Sequence, residues 1–361
     1  MGATGFVKIA IVLFNLGAPD SLEAVGPFLR NLFSDPAILK VPRILRPLLA
    51  GWISRRRTPE AQNIYAKIGG GSPLLSETQR QAEALASRLN DRGDDSYGVF
   101  IAMRYWHPLI PETVTKVEEF APDRIVLVPL YPQYSSTTTA SSMRAWQQAA
   151  KEIGLSRPTN TVCCYPEQAE WVECQTQLLA STIAESGENL GGLRILFSAH
   201  GLPKRIVDAG DPYPDHVERT AKRIINSILH RNMGELDWVV CYQSKVGPLE
   251  WIGPSTESEI VRAGRDQKSV VIAPISFVSE HSETLVELDM TFRDLAERSG
   301  VRTFHRVPAA GVHLSFISGL VAIVDSALAR ETKVDSAPGG RVCAPGISDC
   351  PCPTNRAEAP P

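Results

Sequence analysis

The chain has 361 residues, 43% of them hydrophobic and 21% charged, with a formal net charge of -3. That length suits two domains of roughly 150 residues each. A near-neutral balance leaves no basic footprint for nucleic acid, and no apolar run reaches the ~20 residues of a membrane-spanning helix.

The N-terminal stretch runs straight into a strand-like segment, without the basic region, apolar core and small-residue cleavage site of a signal peptide. Phe6 breaks the myristoylation pattern that Gly2 would open. The expectation is a chain facing the cytoplasm of a bacterium.

Short β-rich runs then alternate with longer helical patterns, the signature of parallel strands joined by crossover helices. The first half offers strands at Lys8 to Leu16, Tyr97 to Tyr105, Arg124 to Tyr131 and Thr159 to Cys164. The second offers Leu193 to Ala199, Trp238 to Tyr242, Ser269 to Ile275 and Arg302 to Arg306. Helical stretches lie at Leu75 to Asn90, Ser141 to Ile153, Glu167 to Glu185, Pro214 to His230 and Ser279 to Ser299. Val312 to Ala329 reads as a buried helix, because His313 and Asp325 interrupt its apolar run. The turn at Gly191-Gly192 divides the halves, giving domains at 1–190 and 191–330 and a tail at 331–361 rich in Pro, Gly, Ser and Cys. Such a tail builds no helix or strand of its own and needs a partner or a metal to become ordered.

Between Ala37 and Ile53, apolar residues mix with Arg43 and Arg46. The segment is either an amphipathic helix with a core face or a lip that touches lipid or an apolar ligand. Ile68-Gly69-Gly70-Gly71-Ser72 lacks the spacing of a phosphate loop and reads as a backbone turn.

Open α/β sheets bind ligands at the carboxyl ends of their strands. His200 ends one strand there, and Ser279 is placed to cap a helix carrying Glu280, Glu283 and Glu287 on one stripe. That acidic row is either a solvated face or a conduit for cations or protons. Seven cysteines, Cys163, Cys164, Cys174, Cys241, Cys343, Cys350 and Cys352, indicate reduced thiols or metal ligands. The last three crowd the tail.

Together these segments resemble the ferrochelatase family, in family order from about Val7 to Leu328. The resemblance is carried by Asn15 to Pro19, Arg55-Arg56-Arg57-Thr58-Pro59 leading to Ile68 to Pro73, Arg104-Tyr105-Trp106-His107-Pro108, Tyr131-Pro132-Gln133-Tyr134-Ser135, Leu196 to Pro203, Gly210 to Pro214, Gln243 to Pro248 with Trp251, and Glu280 to Leu285. It implies two Rossmann-like α/β domains, each a four-stranded parallel sheet flanked by helices, with a porphyrin cleft between them. It implies insertion of Fe2+ into protoporphyrin IX to form protoheme with release of two protons. Coproporphyrin or another metal is the alternative within the class, and a heme or porphyrin carrier the alternative outside it. A carrier needs neither a base nor a metal-delivering carboxylate.

By the same resemblance, His200 and Glu283 are the pair at the insertion site, where the substrate Fe2+ is held. Arg104, Tyr131, Trp251 and Leu16 belong to the porphyrin pocket, and Glu287, Glu280 and His281 to the proton or metal path. Where the family often extends the acidic row beyond Glu287, this chain has Thr291. A neutral imidazole, with an ordinary pKa of about 6.5, accepts protons near neutrality, and carboxylates hold Fe2+ weakly enough to release it.

Some family members carry a [2Fe-2S] cluster on three tail cysteines and one internal cysteine on the helix after the fourth strand. Here Pro166 opens that helix and Cys174 lies on it, so the expected ligands are Cys174, Cys343, Cys350 and Cys352, with Cys163 and Cys164 as alternatives for the internal one. A structural zinc on the same thiolates is the competing reading. An apolar substrate implies peripheral contact with the inner membrane through Ala37 to Ile53.

Overall fold

The computed structural model describes residues 7–39, 41–93, 95–230, 236–331, 334–337, 340–344, 347 and 350–352. The start of the N-terminal segment, on which the leader reading rests, lies outside the described residues.

The chain forms two compact units, one of residues 1–165 with 317–361 and one of residues 166–316. The first holds β1 (Lys8–Asn15), α1 (Val25–Ser34), α2 (Arg46–Ala66), α3 (Leu74–Asn90), β2 (Ser96–Met103), α4 (Ile110–Phe120), β3 (Arg124–Pro129), α5 (Thr139–Ile153) and β4 (Thr159–Val162). The second holds α6 (Ala169–Ser186), β5 (Leu193–His200), α7 (Lys204–Val207), α8 (Tyr213–His230), β6 (Asp237–Gln243), α9 (Thr256–Arg265) and β7 (Ser269–Pro274). A π-helix (Glu283–Phe292), α10 (Arg293–Arg298) and β8 (Phe304–Arg306) complete it. From there α11 (Leu314–Leu328) leads back to the first unit and to β9 (Val334–Asp335).

Both sheets are parallel, in the orders β2-β1-β3-β4-β9 and β6-β5-β7-β8. Their central strands are apolar without alternation because helices cover both faces. In β1 every residue from Ile9 to Asn15 is buried. Its Ala10, Val12 and Phe14 pack with Val114 and Val117 of α4 and Trp146 of α5. In the second sheet Leu196, Val270 and Ile272 pack with Ile260, Phe292 and Phe304. Truncating a side chain as enclosed as Phe14 would cost about 3–5 kcal/mol.

Four sequence expectations are corrected. The boundary at Gly191-Gly192 moves to Tyr165/Pro166, because α6 packs on α8, β7 and β8 and so belongs to the second sheet. The described residues of the tail join the first unit, and the first sheet has five strands rather than four, since Val334 and Asp335 pair with Thr161 and Val162. Backbone pairing recruited a strand whose composition gave no sign of it. The helix expected from Ser279 starts only at Glu283 and in the wider π form, with the His281 amide donating to Thr284 Oγ1. Finally, α2 begins only at Arg46, so the first half of the Ala37 to Ile53 segment is turns rather than helix.

Candidate functional site

In the second unit, parallel pairing sets His200 of β5 level with Gln243 of β6, both at carboxyl ends. His200 Nδ1 lies 2.8 Å from Glu283 Oε2. The Ser244 hydroxyl, just past β6, lies 3.0 Å from Glu283 Oε2 and 2.5 Å from Glu287 Oε2. Glu287 also accepts from the Ser244 amide at 2.9 Å and from Gln243 Nε2 at 2.9 Å. Ser244 adopts a left-handed backbone with φ 64°, a conformation that costs a non-glycine residue energy and is found where a side chain must be aimed.

Charge follows geometry. Burial works against ionising Glu283, yet the His200 and His281 imidazoles and the Ser244 hydroxyl outweigh it and hold the carboxyl down at about 2. For His200, burial opposes the proton and the Glu283 charge overcomes it, so the imidazole titrates above its usual range. Glu287 is pushed up by burial and by the Glu283 charge. A carboxylate only accepts, so the Glu283 contact puts a hydrogen on His200 Nδ1 and leaves Nε2 as the free basic nitrogen of the neutral ring. His281 is the reverse: its Nδ1 accepts the Glu283 amide at 3.0 Å, which places its hydrogen on Nε2 when the ring is neutral, and burial pushes its pKa below the usual imidazole range.

Glu280 does not face this cluster. Its carboxylate accepts from Arg306 at 2.8 Å and from the Ala309 amide at 3.0 Å, and Asp289 holds the same guanidinium at 2.7 Å. The acidic row therefore divides, with Glu283 and Glu287 on Ser244 and Glu280 on Arg306. Trp251 packs against Gly201, the residue after the histidine, because Gly201 has no side chain. A Cβ there would meet the Trp251 ring at 3.1 Å and the Gln243 carbonyl at 2.9 Å.

In the first unit, Leu16 packs at the cluster of Val25, Phe28, Leu29, Tyr65 and Tyr105. Arg104 Nε donates to Ser141 Oγ at 2.7 Å, and Nη2 donates to Asp35 at 2.7 Å. The Tyr131 hydroxyl is buried beside that of Ser142, and burial raises its pKa. Around Trp52 an apolar surface stands open, with Ile44 exposed to 87%, Leu48 to 76% and Trp52 itself to 60%. Arg56 lies over the Trp52 ring at 5.6 Å.

The tail cysteines gather in the same unit. Cys343, Cys350 and Cys352 are buried with Cys163, Cys164 and Tyr134. Cys163 Sγ is 3.2 Å from Cys352 Sγ and 3.4 Å from Cys164 Sγ. Cys350 interacts with both Cys343 and Cys352 in the same cluster. Among the described residues no group of three or more His, Cys, Asp or Glu is arranged to hold a single ion. The place of the internal thiol, expected at Cys174, is taken here by Cys163 and Cys164. Cys174 is on α6 in the second unit, its thiol pushed up to about 12 by burial.

Strand β9 explains the difference. The Cys163 amide donates to the Asp335 carbonyl at 2.8 Å, and the Ala337 amide to Cys164 at 2.9 Å. Arg341 then folds the tail back, donating to the carbonyls of Cys343, Cys352 and Ile347. Sequence reasoning also gave no role to Ser244, Arg306 or Asp35. The available signal for Cys163 was its place at the carboxyl end of β4, where an α/β sheet collects its ligands.

The family model for ferrochelatase matches residues 8–328. The chain is 49% identical over 348 residues to a ferrochelatase of Caulobacter vibrioides, covering 96% of this chain and 97% of that one. It is 43% identical over 347 residues to one of Pelagibacter ubique, covering 96% and 99%. In fold it is similar to SirB from Bacillus subtilis with Fe3+, at a TM-score of 0.51 and 13% identity over 89% of this chain and 95% of that one.

Proposed function

We propose a residue-level account of a chain that belongs to the ferrochelatase family and is a metal chelatase: His200 removes pyrrole protons during insertion of Fe2+ into protoporphyrin IX. The observation that carries it is the His200–Glu283 pair, whose geometry leaves Nε2 as a base and provides a carboxylate to balance the imidazolium. Two pyrrole N–H bonds break as two Fe–N bonds form, so two protons must leave. Each passes from nitrogen to His200 Nε2 and then to solvent. Ser244 supplies a second exit, because one hydroxyl between two carboxylates donates to one and accepts from the other. Glu287, the carboxyl raised by burial and by Glu283, is the one that carries a proton. Glu283 and His200 also hold the substrate Fe2+ before transfer, and His281 keeps Glu283 in place through its amide.

Arg104, Tyr131, Leu16 and Trp251 bind the porphyrin. The Tyr131 and Trp251 rings supply apolar walls. Glu280, held by Arg306, lies outside the hydrogen-bonded group of Glu283 and Glu287. The apolar residues around Trp52, flanked by Arg55, Arg56 and Arg57, form a peripheral contact with an anionic membrane surface on the cytoplasmic side.

The thiols fit a [2Fe-2S] centre. It would need four thiolates, which Cys163, Cys343, Cys350 and Cys352 would supply. When bound, the centre adds a one-electron couple and a cross-link between β4 and the tail. Cys350 is already favoured as thiolate by hydrogen bonds from Cys343 and Cys352. A structural zinc is the other reading of the same thiols, and colour separates the two.

The test is product analysis with Fe2+ and each porphyrin. Protoheme formed in preference to coproheme supports the reading, and preference for coproporphyrin overturns the substrate assignment.

A further inference from the structure

One carboxylate in the first unit is bonded far beyond what a loop residue needs. Asp35 follows α1, is only 4% exposed, and accepts four hydrogen bonds. Its Oδ2 takes Arg104 Nη2 at 2.7 Å, the Tyr105 hydroxyl at 2.8 Å and the Ser141 hydroxyl at 2.5 Å, while Oδ1 takes the Ala37 amide at 2.8 Å. Its backbone carbonyl accepts from the amides of Ile38 and Leu39 at 3.1 and 2.9 Å. These groups come from three parts of the chain: the end of β2, the start of α5, and the root of the segment that leads to the exposed apolar residues.

The arrangement constrains Arg104 on three sides. Asp35 holds Nη2, Ser141 holds Nε, and the Tyr105 ring lies under the guanidinium with its centroid 4.9 Å away. Nη1 has no acceptor among the described residues, so the guanidinium presents one edge only. A buried carboxylate must be compensated to be tolerated, and here the donors themselves, namely Arg104 and the hydroxyls, balance its burial. The same atoms thus fix an arginine's direction and anchor the start of residues 37–53. Neither task is served by an ordinary helix cap, for which a single bond to a backbone amide is enough.

We propose that Asp35 is a positioning residue for the porphyrin: it aims the Nη1 edge of Arg104 at the substrate. This rests on the reading of Arg104 as a porphyrin-binding residue. It predicts a specific split. Loss of the Asp35 carboxylate raises the porphyrin KM and leaves the KM for Fe2+ and the turnover number unchanged, because no proton or metal passes through it.

The experiment is steady-state insertion and porphyrin fluorescence titration with Asp35→Asn, Arg104→Ala and the double variant, with melting curves as the control for folding. Expected is a porphyrin KM raised about tenfold in Asp35→Asn, as loss of a hydrogen bond to a charged group gives, with turnover within twofold. In the Arg104→Ala background the Asp35 change adds nothing further. If Asp35→Asn does not fold, Ser141→Ala carries the same test, removing one donor to Asp35 and the acceptor of Arg104 Nε. Its KM should rise about threefold and again only when Arg104 is present. A KM unchanged in Asp35→Asn but raised in Arg104→Ala overturns the proposal alone. An unchanged KM in Arg104→Ala overturns the reading of Arg104 as well. Additive effects in the double variant show that Asp35 does not act through Arg104 and overturn the proposal too.

Discussion

The two units hold their functional side chains by different means. In the second, His200, Glu283, Ser244, Glu287 and Gln243 are linked by direct hydrogen bonds, and they sit at or just past the carboxyl end of a strand or in the first turn or two of the π-helix. In the first, the sulfurs meet because main-chain pairing of β9 with β4 delivers the tail, and Arg341 ties the tail's carbonyls together. A cluster of ionisable side chains is tuned by its own charges, as the opposite shifts of Glu283 and Glu287 show. A cluster delivered by the backbone is tuned by where the chain is tethered. The first should therefore fail in rate and pH dependence, and the second in stability and spectrum.

His200→Ala is the largest break. Removing the base should lower turnover roughly a thousandfold while porphyrin affinity stays within about tenfold. Stopped-flow insertion beside a fluorescence titration measures both, and retained turnover would remove His200 from its role.

Glu283→Gln should cost about a hundredfold in turnover and also move the pH profile. In the parent protein Glu283 raises the His200 pKa, so activity should fall as pH drops through a value above 6.5, where imidazolium can no longer accept a proton. With glutamine in place the charge is gone, and that acid limb should shift downward. A limb that stays where it was would mean that another group sets it.

The apolar surface of the first unit offers a smaller effect. Leu48→Glu places a charge on this open surface and should weaken binding to anionic vesicles about tenfold, read by co-sedimentation. Equal binding by the parent and the variant would put the membrane contact elsewhere.

The sulfur cluster sharpens the comparison. Cys163→Ser should yield colourless protein with a melting midpoint lower by roughly 5 °C, while Cys174→Ser should stay coloured. Inorganic sulfide near two per chain identifies the [2Fe-2S] reading, whereas a colourless parent with one zinc per chain identifies the structural-metal one. Colour lost in Cys174→Ser but kept in Cys163→Ser would return the internal ligand to α6.

Much of the second unit was legible because its information is local. An apolar run of β-branched residues marks a parallel strand wherever it occurs, and the residue after it is placed at the carboxyl edge by the sheet itself. His200 and Glu283 could be named on that rule and on motif resemblance, before any contact was known. The π form of the helix was not legible. Its widened turn depends on packing against the sheet, and the spacing of Glu280, Glu283 and Glu287 looks the same for either helix.

By itself, then, the sequence determined the parallel α/β class, the eight longer strands and the residues at their carboxyl ends, since hydrophobic periodicity is a property of neighbouring residues. Only the tertiary structure decided that Glu280 pairs with Arg306, which internal cysteine meets the tail and where the units divide. Cys163 and Cys352 are 189 positions apart, and their sulfurs approach to 3.2 Å only because a two-residue strand pairs at the edge of the first sheet. A contact over that separation is set by the register of distant backbones, which no local pattern encodes.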